Sequence, residues 1–204
     1  MGRLVVSEFV SVDGVMEAPG GEPGYRHTGW VADYMGADQF EYKLAEVLAH
    51  EALLVGRRTY EGFAEAWPRR DGEMADKMNA MPKYVASTTL VSPSWNHSTV
   101  LSGNVAAAVE RLKQELPGDI LVAGSRTLVN SLERNALVDA YRLMVFPLVL
   151  GSGMRLFEET TDVTRLELTG VEKLNSGAVV LTYQRMAATN EAGERDRVAS
   201  YCLS

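Results

Sequence analysis

The chain has 204 residues, 46% apolar and 23% charged, and a formal net charge of −7. That composition describes one globular domain with a sizeable core, and the acidic balance excludes a general nucleic-acid binder, which needs a basic surface. A single cysteine, Cys202, excludes an internal disulfide. No apolar run nears the roughly 18 residues of a membrane span, and the N-terminus lacks the layout of a signal peptide. A cytoplasmic protein with no membrane partner is expected.

Leu4–Val12 reads as a strand buried on both faces, closed by the turn signal Asp13-Gly14. Residues 17–29 are rich in glycine and proline and form a long loop, the kind that often covers a binding site. Asp38–His50 has apolar residues at 40, 44, 47 and 48, a helical spacing, with Asp38 as a candidate cap. Ala52–Val55 is a short buried strand, and Thr59–Ala66 a short helix closed by Trp67-Pro68. A further short helix over Glu73–Asn79 and strands over Tyr84–Ser87 and Thr99–Ser102 follow. Asn104 caps a helix over Val105–Leu116 that stops at Pro117-Gly118. A strand over Ile120–Ala123, a helix over Arg126–Glu133 and an apolar strand over Val138–Pro147 come next. Arg165–Leu174 and Ala178–Arg185 alternate and flank Asn175-Ser176-Gly177, so they read as an antiparallel hairpin. Strands alternating with helices predict an α/β domain over residues 1–186, with a mostly parallel sheet. A polar tail occupies 187–204.

Three short stretches sit just past strand ends, where open α/β sheets bind ligands. In Gly56-Arg57-Arg58-Thr59 a buried strand gives way to two arginines and a threonine at a helix start. Guanidinium groups beside free backbone N–H groups suit a phosphate; solvated helix-start residues are the plain alternative. Ala123-Gly124-Ser125-Arg126-Thr127 is a second strand-to-helix turn of small residues. It holds a phosphate, or merely joins the two elements with a capping serine. Ser87-Thr88-Thr89 is a third, open to ordinary loop chemistry. The usual G-x-G-x-x-G fingerprint is absent. The three histidines, His27, His50 and His97, are scattered and suggest no metal site.

Taken in order, Ser11-Val12-Asp13-Gly14, VGRRTYEGF at 55–63, KYVAST at 83–88, AGSRTLVNSL at 123–132, LVDAYRL at 137–143 and PLVLGSGMRLF at 147–157 resemble the dihydrofolate-reductase-like superfamily. Within it they are similar to the RibD C-terminal family of riboflavin-biosynthesis reductases, over about residues 3–186. The resemblance implies a dihydrofolate-reductase-like fold with helices on both faces of the sheet, and an NADP(H) site. Gly56, Arg57, Arg58 and Thr59 match the helix start that holds the phosphate on the adenosine ribose, and the two arginines favour NADP over NAD. Ser87 and Thr88 match the strand end beside that ribose. Gly124, Ser125, Arg126 and Thr127 match the pyrophosphate turn, where some relatives have a cis peptide. Gly151 and Gly153 match a loop on the nicotinamide side.

On the substrate side, Ser7, Glu8 and Phe9 match the part of the first strand that lines the pocket. Asp13 opens the loop over the nicotinamide, as a carboxylate that relays a proton or as a turn former. The acid of folate reductases would fall near Phe40, between Asp38 and Glu41, and no acid stands at the matching position itself. Tyr25, His27 and Trp30 either stack on a flat substrate or anchor the loop. The implied function is an NADPH-dependent reductase acting on a small heterocyclic or sugar-linked molecule, similar to 5-amino-6-(5-phosphoribosylamino)uracil reductase. Dihydrofolate reductase, or a non-catalytic ligand-binding paralogue, are the alternatives. The chain carries neither the H-x-E nor the C-x-x-C signature of the zinc deaminases that accompany many such reductases. A homodimer is also implied by the resemblance.

Overall fold

Leu4–Ser11 forms β1, almost wholly buried. It lies at the middle of the sheet because both its faces are apolar apart from a few hydroxyl and acidic positions. The structure is a computed structural model and describes residues 1–160 and 163–186; the expected polar tail and Cys202 lie outside the described residues. Seven further strands complete the sheet: β2 (Ala52–Gly56), β3 (Lys83–Ala86), β4 (Ser98–Leu101), β5 (Ile120–Val122), β6 (Ala140–Phe146), β7 (Leu166–Lys173) and β8 (Val179–Arg185). Their order is β4-β3-β2-β5-β1-β6-β8-β7. The first six run parallel, and the β7–β8 hairpin adds antiparallel to β6.

Five helices cover the two faces: α1 (Ala37–Ala49), α2 (Arg57–Ala66), α3 (Glu73–Ala80), α4 (Val105–Glu115) and α5 (Arg126–Arg134). Strand alternation sorts the core between them. Leu54, Ile120 and Val122 pack with Val109 and Leu112 of α4 and with Leu128, Val129 and Leu132 of α5. Leu53, Val55 and Leu121 pack the other way, against Val47 of α1, Tyr60 of α2 and Met78 of α3. Right-handed crossovers produce this split, because the chain moves one way across the sheet from β1 to β4 and the other way from β4 to β6.

The strand β5 is three residues long, and this shapes the site. It pairs with β1 only through Leu4, Val5 and Val6, and with β2 only through Ala52, Leu53 and Leu54. Beyond Val122 the sheet has a notch. Its sides are the second half of β1, held by β6, and the end of β2, held by β3. The direction of the crossovers reverses beside this notch, the position where ligands of open α/β sheets sit. Val138 and the strand after it are largely core: Val138, Tyr141, Met144 and Phe146 are buried, while Val149 beyond them is 71% exposed.

One edge rests on a buried ammonium. Lys83 is fully buried, and its Nζ donates to the carbonyls of Asn79 (2.9 Å), Met81 (2.7 Å) and Asn96 (3.0 Å) while standing 4.4 Å from the centre of the Trp95 ring. Burial lowers its pKa to about 8 from 10.5. Replacing Lys83 by methionine leaves three carbonyls without that donor and should cost on the order of 2 kcal/mol at pH 7. Between pH 8 and pH 10 the unfolded chain keeps a proton on this lysine that the folded chain has released, so the wild type gains stability as pH rises. In urea denaturation the gap between wild type and Lys83→Met should therefore widen across that window; a constant gap would contradict the depressed pKa.

Candidate functional site

Two helix starts meet in the notch. Gly56 ends β2 and caps α2; Ser125 follows β5 and caps α5; neither cap makes a side-chain capping bond. Helix starts attract acids, yet neither first turn holds one. The residues there are Arg57, Arg58 and Thr59 in α2 and Arg126 and Thr127 in α5. The turns are in contact, with the Gly56 N–H donating to the Gly124 carbonyl at 3.1 Å. A Cβ on Gly56 would lie 2.4 Å from Ser125 Oγ, so a side chain there would separate them. Gly124 adopts φ +75°, and a Cβ on it would lie 2.9 Å from Thr59 Oγ1. The Gly124–Ser125 peptide is cis. Gly56, Thr59, Gly124 and Ser125, far apart in sequence, thus form one surface of backbone N–H groups and hydroxyls.

The other expected contacts divide. Arg57 reaches from α2 to Thr89 Oγ1 (2.6 Å) and pairs with Glu61 (2.7 Å), which joins α2 to the loop after β3. Arg58 is exposed and makes no hydrogen bond or ion pair among the described residues. The Ser87 hydroxyl accepts the N–H groups of Thr89 and Leu90 (3.2 and 2.9 Å), so it shapes its own turn. Thr88 and Thr127 are exposed. Arg126 Nε donates to the Arg155 carbonyl at 2.7 Å.

The long loop after β1 and the loop after β6 are stitched into one wall. Val15 and Arg155 form a bridge, Met16 N–H donates to Met154, and Leu156 N–H donates to Gly14. Asp13 accepts from the Ser11 hydroxyl (2.6 Å), the Leu150 N–H (3.1 Å) and the Gly151 N–H (2.9 Å). The Ser11 hydroxyl, with these N–H groups, holds its pKa below the ordinary value. Its carboxylate is therefore committed to fixing the loop, as a turn former would be. At Gly153, φ +117°, a Cβ would lie 2.8 Å from Val15 and 2.9 Å from the Tyr25 hydroxyl, which donates to Ser152. Gly151 and Gly153 belong to this wall, which is tied to α5 through Arg126 and through the buried Asn130, bonded to Leu156 and Glu158.

The α1 side departs from the sequence expectation. Phe40 and Leu48 are 50% and 40% exposed; Val47 is buried as its spacing predicts, but it shares the face turned to the sheet with the buried polar residues Gln39, Glu46 and His50. Glu46 Oε2 accepts from the Ser7 hydroxyl (2.8 Å) and pairs with Lys43, which donates to Ser7 Oγ (2.8 Å) and stands 5.3 Å from the Phe9 ring centre. Arg142 of β6, in register with Ser7, lies 3.5 Å from Glu46 Oε1. Burial pushes the Glu46 pKa up, but Lys43, Ser7 and Arg142 outweigh it and hold it below the ordinary range. The cap of α1 is Gly36, not Asp38. Asp38 lies inside the first turn, where it accepts the Gln39 N–H and, from the β7–β8 turn, the Asn175 N–H (2.5 Å). Glu41 is exposed. Trp30 is buried against Phe146 and donates from Nε1 to the Glu17 carbonyl, so it anchors the long loop. Lys43 and Glu46 escaped the sequence reading because an apolar face was sought; their i,i+3 spacing beside Val47 was the available signal.

The opposite face of β1 carries Glu8. It is 9% exposed, and its Oε1 has no hydrogen-bond partner among the described residues. That oxygen is 3.8 Å from where a Cβ on Gly124 would stand. Burial pushes its pKa up to about 8, with the Gly124 N–H and Lys43 pulling downward and Glu46 adding to the rise. No group of three or more histidine, cysteine or acidic side chains that could hold a metal occurs among the described residues.

Comparison with known proteins places this geometry. The sequence matches the RibD C-terminal domain over residues 3–180. The Bacillus subtilis protein YwjB, uncharacterised in function, is 30% identical over 186 residues, covering 90% of this chain and 98% of its own. A second B. subtilis protein, YyaP, also uncharacterised, is 25% identical over 187 residues, 89% and 94% of the two chains. Among solved structures, a putative riboflavin biosynthesis protein from Shewanella superimposes with a TM-score of 0.65 at 18% identity, covering 91% of this chain and 99% of the other. Acinetobacter baumannii RibD gives 0.63 at 16%, with 92% of this chain matching 59% of that one. Enterococcus faecalis dihydrofolate reductase, in complex with NADP(H), gives 0.60 at 15%, covering 91% and 98%. The notch between β1 and β2, the short β5 and the C-terminal hairpin are thus parts of a dihydrofolate-reductase-like fold, and the chain belongs to the RibD C-terminal domain family.

Proposed function

We propose that this protein is a reductase that uses NADP(H) to reduce a small heterocyclic or sugar-linked molecule. The observation that carries the reading is the contact of two acid-free helix starts at Gly56 and Ser125, flanked by Arg57, Arg58 and Arg126. Free N–H groups and two helix N-termini meeting at one point suit a diphosphate bridge. An exposed guanidinium without a protein partner, Arg58, suits a further phosphate dianion. When bound, NADPH supplies the hydride; the chain's residues place the two reactants and exclude water.

The substrate would enter on the Phe9 side of β1, against the ring over which Lys43 stands. A dihydrofolate reductase is disfavoured on this geometry. Asp38 is tied to Asn175, Glu41 faces away into solvent, and Glu46 is neutralised by Lys43 and Arg142, so α1 offers no free carboxylate to a pterin.

Quenching of tryptophan fluorescence gives the direct test: NADPH should bind more tightly than NADH, and binding of neither would sink the proposal. Arg58→Ala should weaken NADPH about tenfold or more and leave NADH nearly unchanged, as loss of a charge-assisted phosphate contact demands; equal losses would remove Arg58 from that role. Gly56→Ala places a methyl group on Ser125 Oγ, so it should lower stability by about 1–3 kcal/mol and weaken both cofactors together, read as a drop in Tm and in the same titrations.

A further inference from the structure

Glu8 has an environment that a structural role in the strand does not account for. Its neighbours on the same face of β1 are Val6 and Val10, and β6 places Leu143 beside it in register. From α5 the same core receives Leu128 and Val129. From α2 comes Thr59, uncharged; Arg57 and Arg58 on that helix start are exposed. From the β5–α5 turn come Gly124 and Ser125, while Arg126 is turned onto the Arg155 carbonyl. The charges that act on it from α1 are Lys43 and Glu46, which oppose each other. Among the described residues Glu8 thus has no counter-ion of its own, only the Gly124 N–H set toward it, and its oxygen lies against the turn where the cofactor's diphosphate would rest.

We propose that Glu8 is the positioning residue of the phosphate cradle, and that the cradle accepts a diphosphate only when Glu8 is neutral. This rests on the cofactor reading given above. The carboxyl does not reach the reacting atoms: its buried Oε1 lies beneath Gly124. It acts through the turn. As a neutral acid it stands 3.8 Å from where a Gly124 side chain would begin, and it places no charge under the anion. As a carboxylate it would set an unscreened negative charge beneath the phosphates in a medium of low polarisability. Binding of the anion and ionisation of Glu8 therefore exclude each other, and each must shift the equilibrium of the other by the same factor. Burial, which already favours the neutral form, keeps the cradle competent at neutral pH.

The experiment uses ADP-ribose, whose diphosphate does not titrate between pH 7 and pH 10, beside NADPH. In protein labelled with carboxyl-¹³C glutamate, one carboxyl signal should titrate near pH 8 and be absent from Glu8→Gln. Saturating ADP-ribose should raise its midpoint. Affinity for ADP-ribose should fall about tenfold per pH unit above the free midpoint in the wild type, and should lose that dependence in Glu8→Gln. Should Glu8→Gln fail to fold, the ligand-induced movement of the wild-type signal decides the matter alone. A Glu8 signal that titrates in the ordinary carboxylate range, a midpoint that ADP-ribose does not move, an unchanged pH dependence in Glu8→Gln, or no ADP-ribose binding at any pH would each overturn the proposal. Proton-linked binding of ADP-ribose without binding of NADPH would support Glu8 in this role and sink the cofactor reading instead.

Discussion

Where β5 runs out after Val122, two helix starts come into contact, and that contact depends on a missing side chain. Gly56 lets its N–H reach the Gly124 carbonyl, and Gly124 in turn leaves room for Thr59 and Glu8. Two helices that each begin a crossover, in opposite directions across the sheet, are brought start to start, so their positive ends add at one point. An isolated protein would ordinarily offset this with acids in the first turn. Here arginines stand there, which makes the surface a poor structural solution and a good receptor for an anion.

The two walls of the notch are built by different means. On the side of the two helix starts the elements are regular, and backbone geometry does the work. On the other side a loop of some length is held by specific bonds: Asp13 to the 150–151 backbone, Glu17 to Met154, Tyr25 to Ser152. The buried cluster of Ser7, Lys43, Glu46 and Arg142 contributes a net positive charge beneath the Phe9 side of β1. Such a network narrows the arrangements open to α1 more than an apolar contact would, at some cost in desolvation.

Much of this was legible in the residues. Strand boundaries followed from short apolar runs bounded by glycine and aspartate, and the two turns announced themselves by small residues before arginine. The hairpin around Asn175-Ser176-Gly177 followed from alternation. What misled was α1. Of its apolar positions with helical period, Val47 packs on the sheet but Phe40 and Leu48 do not; Lys43 and Glu46 turn to the strands instead, because Ser7 and Arg142 supply polar partners that no local window contains. Likewise, nothing near Glu8 in sequence indicates that Gly124, more than a hundred residues on, will lie against it. Periodicity reports burial, not the chemistry of what does the burying.

Arg126 and Asn130 hold the 154–158 segment from α5. The same helix begins at the turn that would seat the diphosphate. A jaw needs a hinge between its halves, and here the loop wall and the phosphate turn hang from one rigid rod. A tilt of α5 would pull on both together, so the floor and one side of the notch cannot shift independently of each other.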